Sequence, residues 1–106
     1  MFAKQHEKRL LQDGREVARY ITALCDANLL GNVFEEGDLF LDLKTFRAFY
    51  EGKKVSKKEA ETLLKNAKNV NVVGKKSVAL ALKVLKVPAS SVKKIAGVPH
   101  LQIYYV

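Results

Sequence analysis

The chain has no tryptophan, a single cysteine, Cys25, and only two histidines, His6 and His100. One thiol excludes an intrachain disulfide and any cysteine metal cluster, and two histidines far apart in sequence do not make a zinc finger or a histidine-rich centre. Acidic residues are scarce in the second half. Residues 52–106 hold twelve lysines against two glutamates, net +10, whereas residues 1–51 hold seven basic and nine acidic residues, net −2. Arginine is missing from that basic half, its four copies being Arg9, Arg15, Arg19 and Arg47, so bidentate reading of guanine edges is poorly supplied there. No apolar run is long enough to span a bilayer, since even VALALKVLKV at 78–87 is broken by lysine. The opening MFAKQHEKRLLQDG lacks the continuous apolar core of a signal peptide, and with the lone cysteine this predicts a cytoplasmic protein with no membrane contact.

What is present describes a folded globular protein: 106 residues, 48% hydrophobic, 28% charged, with a net charge of +8. That length predicts one domain over 1–106, which the element order below makes α+β, led by a charged and variable segment at 1–14. Residues 15–25, REVARYITALC, satisfy two patterns: Val17, Tyr20, Ile21 and Leu24 share a helical face, while Val17, Ile21, Ala23 and Cys25 fit alternating strand positions. Asp26 is placed to cap a short turn through Leu29 and Leu30, with Gly31 ending it in the left-handed region. Gly37 lies in the turn EEGD, a strand is expected over Leu39–Leu43, and Phe46, Phe49 and Tyr50 are expected to pack the core, with stacking on bases as the alternative.

The clearest helix start is Ser56-Lys-Lys-Glu59, a reciprocal cap followed by an apolar stripe of Ala60, Leu63, Leu64 and Ala67. A short apolar segment at 70–73 and a turn at Gly74 precede a second helix over 75–86, with Val78, Ala81, Leu82 and Leu85 inward. The last stretch, VKKIAGVPHLQIYYV, reads as two short strands about a turn formed by Gly97 and Pro99. The predicted architecture is a small β-sheet packed by two amphipathic helices.

Both helices carry a basic flank. Lys57, Lys58, Lys65 and Lys68 gather on the first, with Glu61 placed to pair with Lys57 and Lys65. Lys75, Lys76, Lys83 and Lys86 gather on the second, Lys53 and Lys54 precede the pair, and Lys93 and Lys94 follow it. If the helices pack side by side, these lysines form one field for phosphates, with salt-dependent affinity and no sequence reading. The competing reading is that they meet acidic surface, either the chain's own first half or a partner protein. Gly74-Lys75-Lys76-Ser77 opens a helix and offers the amides of 75–77 to a single phosphate, but it lacks the glycine spacing of a nucleotide-binding loop. No cofactor is therefore predicted, and no metal, because Asp26, Glu35, Glu36, Asp38 and Asp42 lack calcium-loop spacing.

Cys25, Asp26 and His100 supply the residue types of a cysteine nucleophile with its base and orienter. Against that, Cys25 ends an apolar segment and reads as a small buried hydrophobe. Tyr104 and Tyr105 alternate on a terminal strand, so one of them faces away from the other and is offered either as a stacking platform or as cover for the sheet edge or a second subunit.

The stretches CDANLLGNVFEEGDLFLDL at 25–43, FYEGKKV at 49–55, NVVGKKSVALAL at 71–82 and IAGVPHLQI at 95–103 together resemble an archaeal family of uncharacterised proteins, domain of unknown function number 424. The resemblance implies a strand at 16–25. It singles out Cys25 and Asp26, Leu29 to Gly31, Glu36 and Gly37, Phe49 and Tyr50, Asn71, Val73 and Gly74, and finally Gly97, Pro99 and His100. It implies no established reaction, only a class-level expectation of RNA handling or translation. The leading expectation is a non-catalytic RNA-binding or ribosome-associated protein acting through the lysines. An interaction module for an acidic partner comes second, and a small enzyme using Cys25 or His100 third. His100 itself is expected to be a packed or edge residue that adds a hydrogen bond.

Overall fold

The computed structural model describes residues 1–104. The chain runs through strands β1 (Phe2–Gln12), β2 (Arg15–Cys25), β3 (Val33–Glu36) and β4 (Leu39–Asp42), then helix α1 (Arg47–Tyr50) and β5 (Lys53–Lys54). Helix α2 (Lys57–Lys65), β6 (Asn69–Val73), α3 (Lys75–Leu85), β7 (Lys93–Ile95) and β8 (Val98–Ile103) complete it. No helix among the described residues is long and apolar enough to cross a membrane.

Residues 15–25 settle as a strand because β1 pairs with them along its whole length, from Phe2–Cys25 to Gln12–Arg15. The charged lead-in is thus itself a strand. Its polar side chains are tolerated because the outer half of the hairpin, roughly residues 7–16, faces solvent and no third strand supports it. Ile21 to Cys25 then pair in parallel with Asn69–Val73, which needs a long crossover. The β3–β4 hairpin, α1 and α2 occupy that crossover. The mixed sheet has the order β5-β1-β2-β6-β8-β7, and β3–β4 forms a separate two-stranded sheet.

Side chains alternate across the sheet and so divide the core in two. Leu24, Val70, Val72 and Leu101 point to the face covered by Ala60 and Leu64 of α2 and by Val78, Leu80 and Ala81 of α3. Ala23, Cys25 and Val73 point to the other face, covered by Leu41 and Leu43 around β4 and by Tyr50 of α1. Each fully buried Leu or Val is worth about 1.5–3 kcal/mol, so neither face is dispensable. Two amphipathic helices over one sheet is therefore incomplete. The four-residue α1 and the β3–β4 hairpin close the opposite face, and one turn of helix is too short to leave a periodic signal.

The capping box at α2 is formed as expected: Glu59 N–H donates to Ser56 Oγ at 3.1 Å, and Ser56 N–H donates to Glu59 Oε1 at 3.2 Å. The last hairpin turns at Ala96 and Gly97, with φ of 51° and 80°, the backbone of a two-residue type I′ loop that glycine adopts without strain. Pro99 and His100 lie beyond the turn, inside β8. There the Pro99 carbonyl accepts from Gly74 N–H at 3.0 Å.

Candidate functional site

All twelve lysines of the basic half are exposed. The packing of α2 against α3 brings Lys57, Lys76 and Lys83 to the walls of a groove of about 400 Å³ floored by Ala79 and Leu80. Lys75 and Lys94 flank a shallower hollow of about 250 Å³ over Val78 and Leu82. Lys68 stands instead beside Arg19 and Asn66 in a third hollow. These six lysines border hollows on and beside the helical layer.

Charge pairing leaves them largely uncompensated. Lys53 meets Glu59 at 3.7 Å, while the other ion pairs seen among the described residues, Arg9 with Glu7 and Glu16 and Arg47 with Glu51, involve arginines. The expected pairs of Glu61 with Lys57 and Lys65 are not formed. The acids of the first half do not mate with the lysines either. Glu35, Glu36, Asp38 and Asp42 belong to the β3–β4 hairpin on the opposite face, where Glu36 accepts from the Ala96 amide at 3.0 Å.

Two of the three amides offered at the start of α3, those of Lys76 and Ser77, are already occupied, which corrects the expectation that the amides of 75–77 are free for a phosphate. Asp26, 7% exposed, reaches from the end of β2 to accept from Lys76 N–H at 3.1 Å, Ser77 N–H at 2.9 Å and Ser77 Oγ–H at 2.6 Å. Its own turn, Ala27–Leu29, receives no side-chain cap. A carboxylate at a helix N-terminus satisfies orphan donors and complements the positive end of the helix dipole. Gly74 has φ of +107°, and a Cβ there would collide with the Asp26 carboxylate, so glycine is required at this contact.

Cys25 and His100 do not form a dyad. Val73 pairs with Cys25 on one side and with His100 on the other, so a whole strand, roughly 10 Å from first to third, separates them. The thiol is 0% exposed and donates to the Asp26 carbonyl at 3.3 Å. Burial, aided by the Asp26 charge, pushes its pKa up to about 12, which suppresses the thiolate a nucleophile needs.

His100 instead enters a polar network on the face opposite α2 and α3. Asn71 Oδ1 accepts from His100 Nε2 at 2.7 Å and from Tyr50 O–H at 3.0 Å, which assigns the proton to Nε2. The Asn71 amide donates to the Tyr104 hydroxyl at 3.3 Å. Burial first, then the charge of Lys93, holds the imidazole below its usual range, and burial pushes the Tyr50 phenol up to about 12. Above this network opens a cleft of about 400 Å³ walled by Phe40, Phe46, Phe49 and Tyr104. Phe49 stacks on His6 with ring centroids 4.2 Å apart. Tyr50 is buried and Phe49 half-buried, as core packing requires, but Phe46 is 60% exposed. Tyr104 is exposed, and Tyr105 lies outside the described residues. Residue patterns did not single out Asn71 chemically, although a polar residue between valines in NVNVV, a strand buried at every position, is the signal that marks it.

Among the described residues no group of three or more His, Cys, Asp or Glu side chains is placed to hold a metal ion. No curated protein matches the chain. A crystal structure of an uncharacterized conserved protein from Methanopyrus kandleri is similar in fold, with a TM-score of 0.69 at 20% identity over 94% of this chain and 90% of that one. The family model described as protein of unknown function DUF424 matches residues 17–106, and the chain belongs to that family.

Proposed function

We propose that this protein is a non-catalytic, cytoplasmic RNA-binding or ribosome-associated protein whose α2–α3 face holds the phosphate backbone through lysines. The observation that supports this reading is charge segregation: apart from Lys53, the lysines of the basic half have no acidic partner among the described residues, while the hairpin acids lie behind the sheet. Lys57, Lys76 and Lys83 converge on one groove, which supports taking them as the first contacts to test. Lysine without arginine suits backbone attraction rather than base reading.

The test is anisotropy of a labelled single-stranded RNA titrated with wild type and with the triple variant Lys57→Ala, Lys76→Ala, Lys83→Ala. The slope of log affinity against log salt falls by about 2 in the variant if three phosphates are lost, at about 0.7 per contact. Equal affinity of the two proteins, or no saturable binding at low salt, overturns the reading. Tighter binding of an acidic polypeptide than of RNA at matched salt transfers the face to an acidic protein partner.

A further inference from the structure

The cleft behind the sheet is not explained by the lysine face. Its walls expose aromatic area that a protein normally hides: Phe40 is 63% exposed, Phe46 60% and Tyr104 48%. All three rings open onto the same space. Its floor is polar and ordered. Asn71, buried on β6, accepts from both Tyr50 and His100 through one oxygen and donates through its amide to Tyr104. The volume of about 400 Å³ lies in the range of small-ligand pockets, in which apolar walls and a few converging polar groups are the rule.

The hydrogen-bond accounting says what the floor still offers. Asn71 Oδ1 is saturated, but its amide has a second N–H. The Tyr104 oxygen accepts from Asn71 and, at 3.5 Å, from Gln102, which leaves its own hydrogen to donate. The neutral imidazole, protonated at Nε2, keeps Nδ1 as an acceptor. Among the described residues no lysine or arginine lines the cleft, and Asp42 does, so an anionic group is disfavoured inside. Flat aromatic faces, paired donors beside an acceptor and no cationic lining fit an uncharged, planar nitrogen heterocycle rather than a phosphate or an aliphatic chain.

We infer that this cleft binds a nucleobase, its ring stacked against Phe40 or Phe46 and its edge read by Asn71, His100 and Tyr104. Two sources present that ring: a free nucleoside, or an unpaired base of an RNA strand. For the second, Lys93 is the register partner of His100 on β7 and lies beside the cleft as a phosphate contact. The inference goes beyond the lysine face and stands without it, because a free nucleoside needs none of those lysines.

The experiment follows the side-chain NMR signals of His100 and Tyr104 in the full chain during titration with adenosine, guanosine, cytidine and uridine, and separately with short single-stranded oligonucleotides. Saturable shifts with a nucleoside, weakened about tenfold in Phe46→Ala, support the free source. Shifts seen only with oligonucleotides, weakened both by Phe46→Ala and by Lys93→Ala, support the RNA source. Phe46 is exposed, so its truncation spares the core, and the wild-type titration is decisive by itself. No shift at either residue up to millimolar ligand, equal shifts with ribose 5-phosphate, or affinity unchanged in both Phe40→Ala and Phe46→Ala overturns the inference. Loss of RNA binding by the lysine variant with nucleoside shifts retained separates failure of one site from failure of the other.

Discussion

Replacing Asp26 by alanine tests whether the contact between β2 and α3 is a structural keystone. The substitution removes three hydrogen bonds from one buried carboxylate, to Lys76 N–H, Ser77 N–H and Ser77 Oγ–H. It also leaves the fully buried Ser77 hydroxyl without that acceptor. A charged hydrogen bond contributes about 1.5–3 kcal/mol when removed alone, but bonds to one group are not additive. Loss of the helix-dipole interaction adds about 0.3–1 kcal/mol. The expected sum is about 3–4 kcal/mol, a large share of the roughly 5–15 kcal/mol that holds a domain folded. For a chain of this size each kcal/mol shifts the melting temperature by about 4–8 °C, so Asp26→Ala should melt about 12–30 °C lower. Asp26→Asn keeps the shape and one acceptor oxygen and should lose about half as much. Urea unfolding followed by circular dichroism, with the slope checked for constancy, measures both. An alanine variant within about 1 kcal/mol of wild type refutes the reasoning, because the helix amides would then be satisfied equally well without the carboxylate.

Stability should also fall as the pH is lowered past the ordinary histidine range. His100 has a folded pKa depressed below 6.5 by burial and by Lys93, so below about 6.5 the unfolded chain binds the extra proton and gains. The contribution is complete above that pH and is lost toward the depressed value. His100→Gln should flatten the dependence of urea midpoint on pH between about 7 and 5, and an unchanged slope counts against the assignment. Ser56→Ala breaks the capping box of α2 and should cost about 1 kcal/mol, read as a lower melting temperature with unchanged RNA affinity. Cys25, buried with its pKa near 12, should react with a thiol reagent at pH 8 more than about a hundred times slower in the folded chain than in urea. Rapid labelling of the folded protein would reopen the nucleophile reading.

The parts of this fold that were legible in the sequence are those whose signals are local. The Ser56–Glu59 box, the stripe through Ala60 and Leu64, the helix after Gly74 and the two closing strands depend on residues within a few positions of one another, and caps and periodicity act over that distance. The turn between the closing strands, however, lies at Ala96–Gly97 rather than at Gly97 and Pro99. α1 escaped because four residues carry no period. β1 escaped because its outer half faces water, where charged and apolar residues serve equally well. Phe46 was expected in the core on its chemistry alone, and no local pattern distinguishes it from Tyr50.

By itself the sequence determined the α+β class, the two amphipathic helices, the exclusion of an intrachain disulfide and of a cysteine cluster, and the lopsided charge, since each follows from composition or short-range spacing. Only the tertiary structure decided which groups are already spent. Asp26 lies fifty-one residues from Ser77, Tyr50 twenty-one from Asn71 and His100 twenty-nine from Asn71. Whether an amide is vacant or capped, or a histidine faces a thiol or an asparagine, depends on strand order and on the face each strand presents. The parallel crossover from β2 to β6 sets both: it carries Asp26 onto the start of α3 and leaves the Asn71 network under an open aromatic cleft.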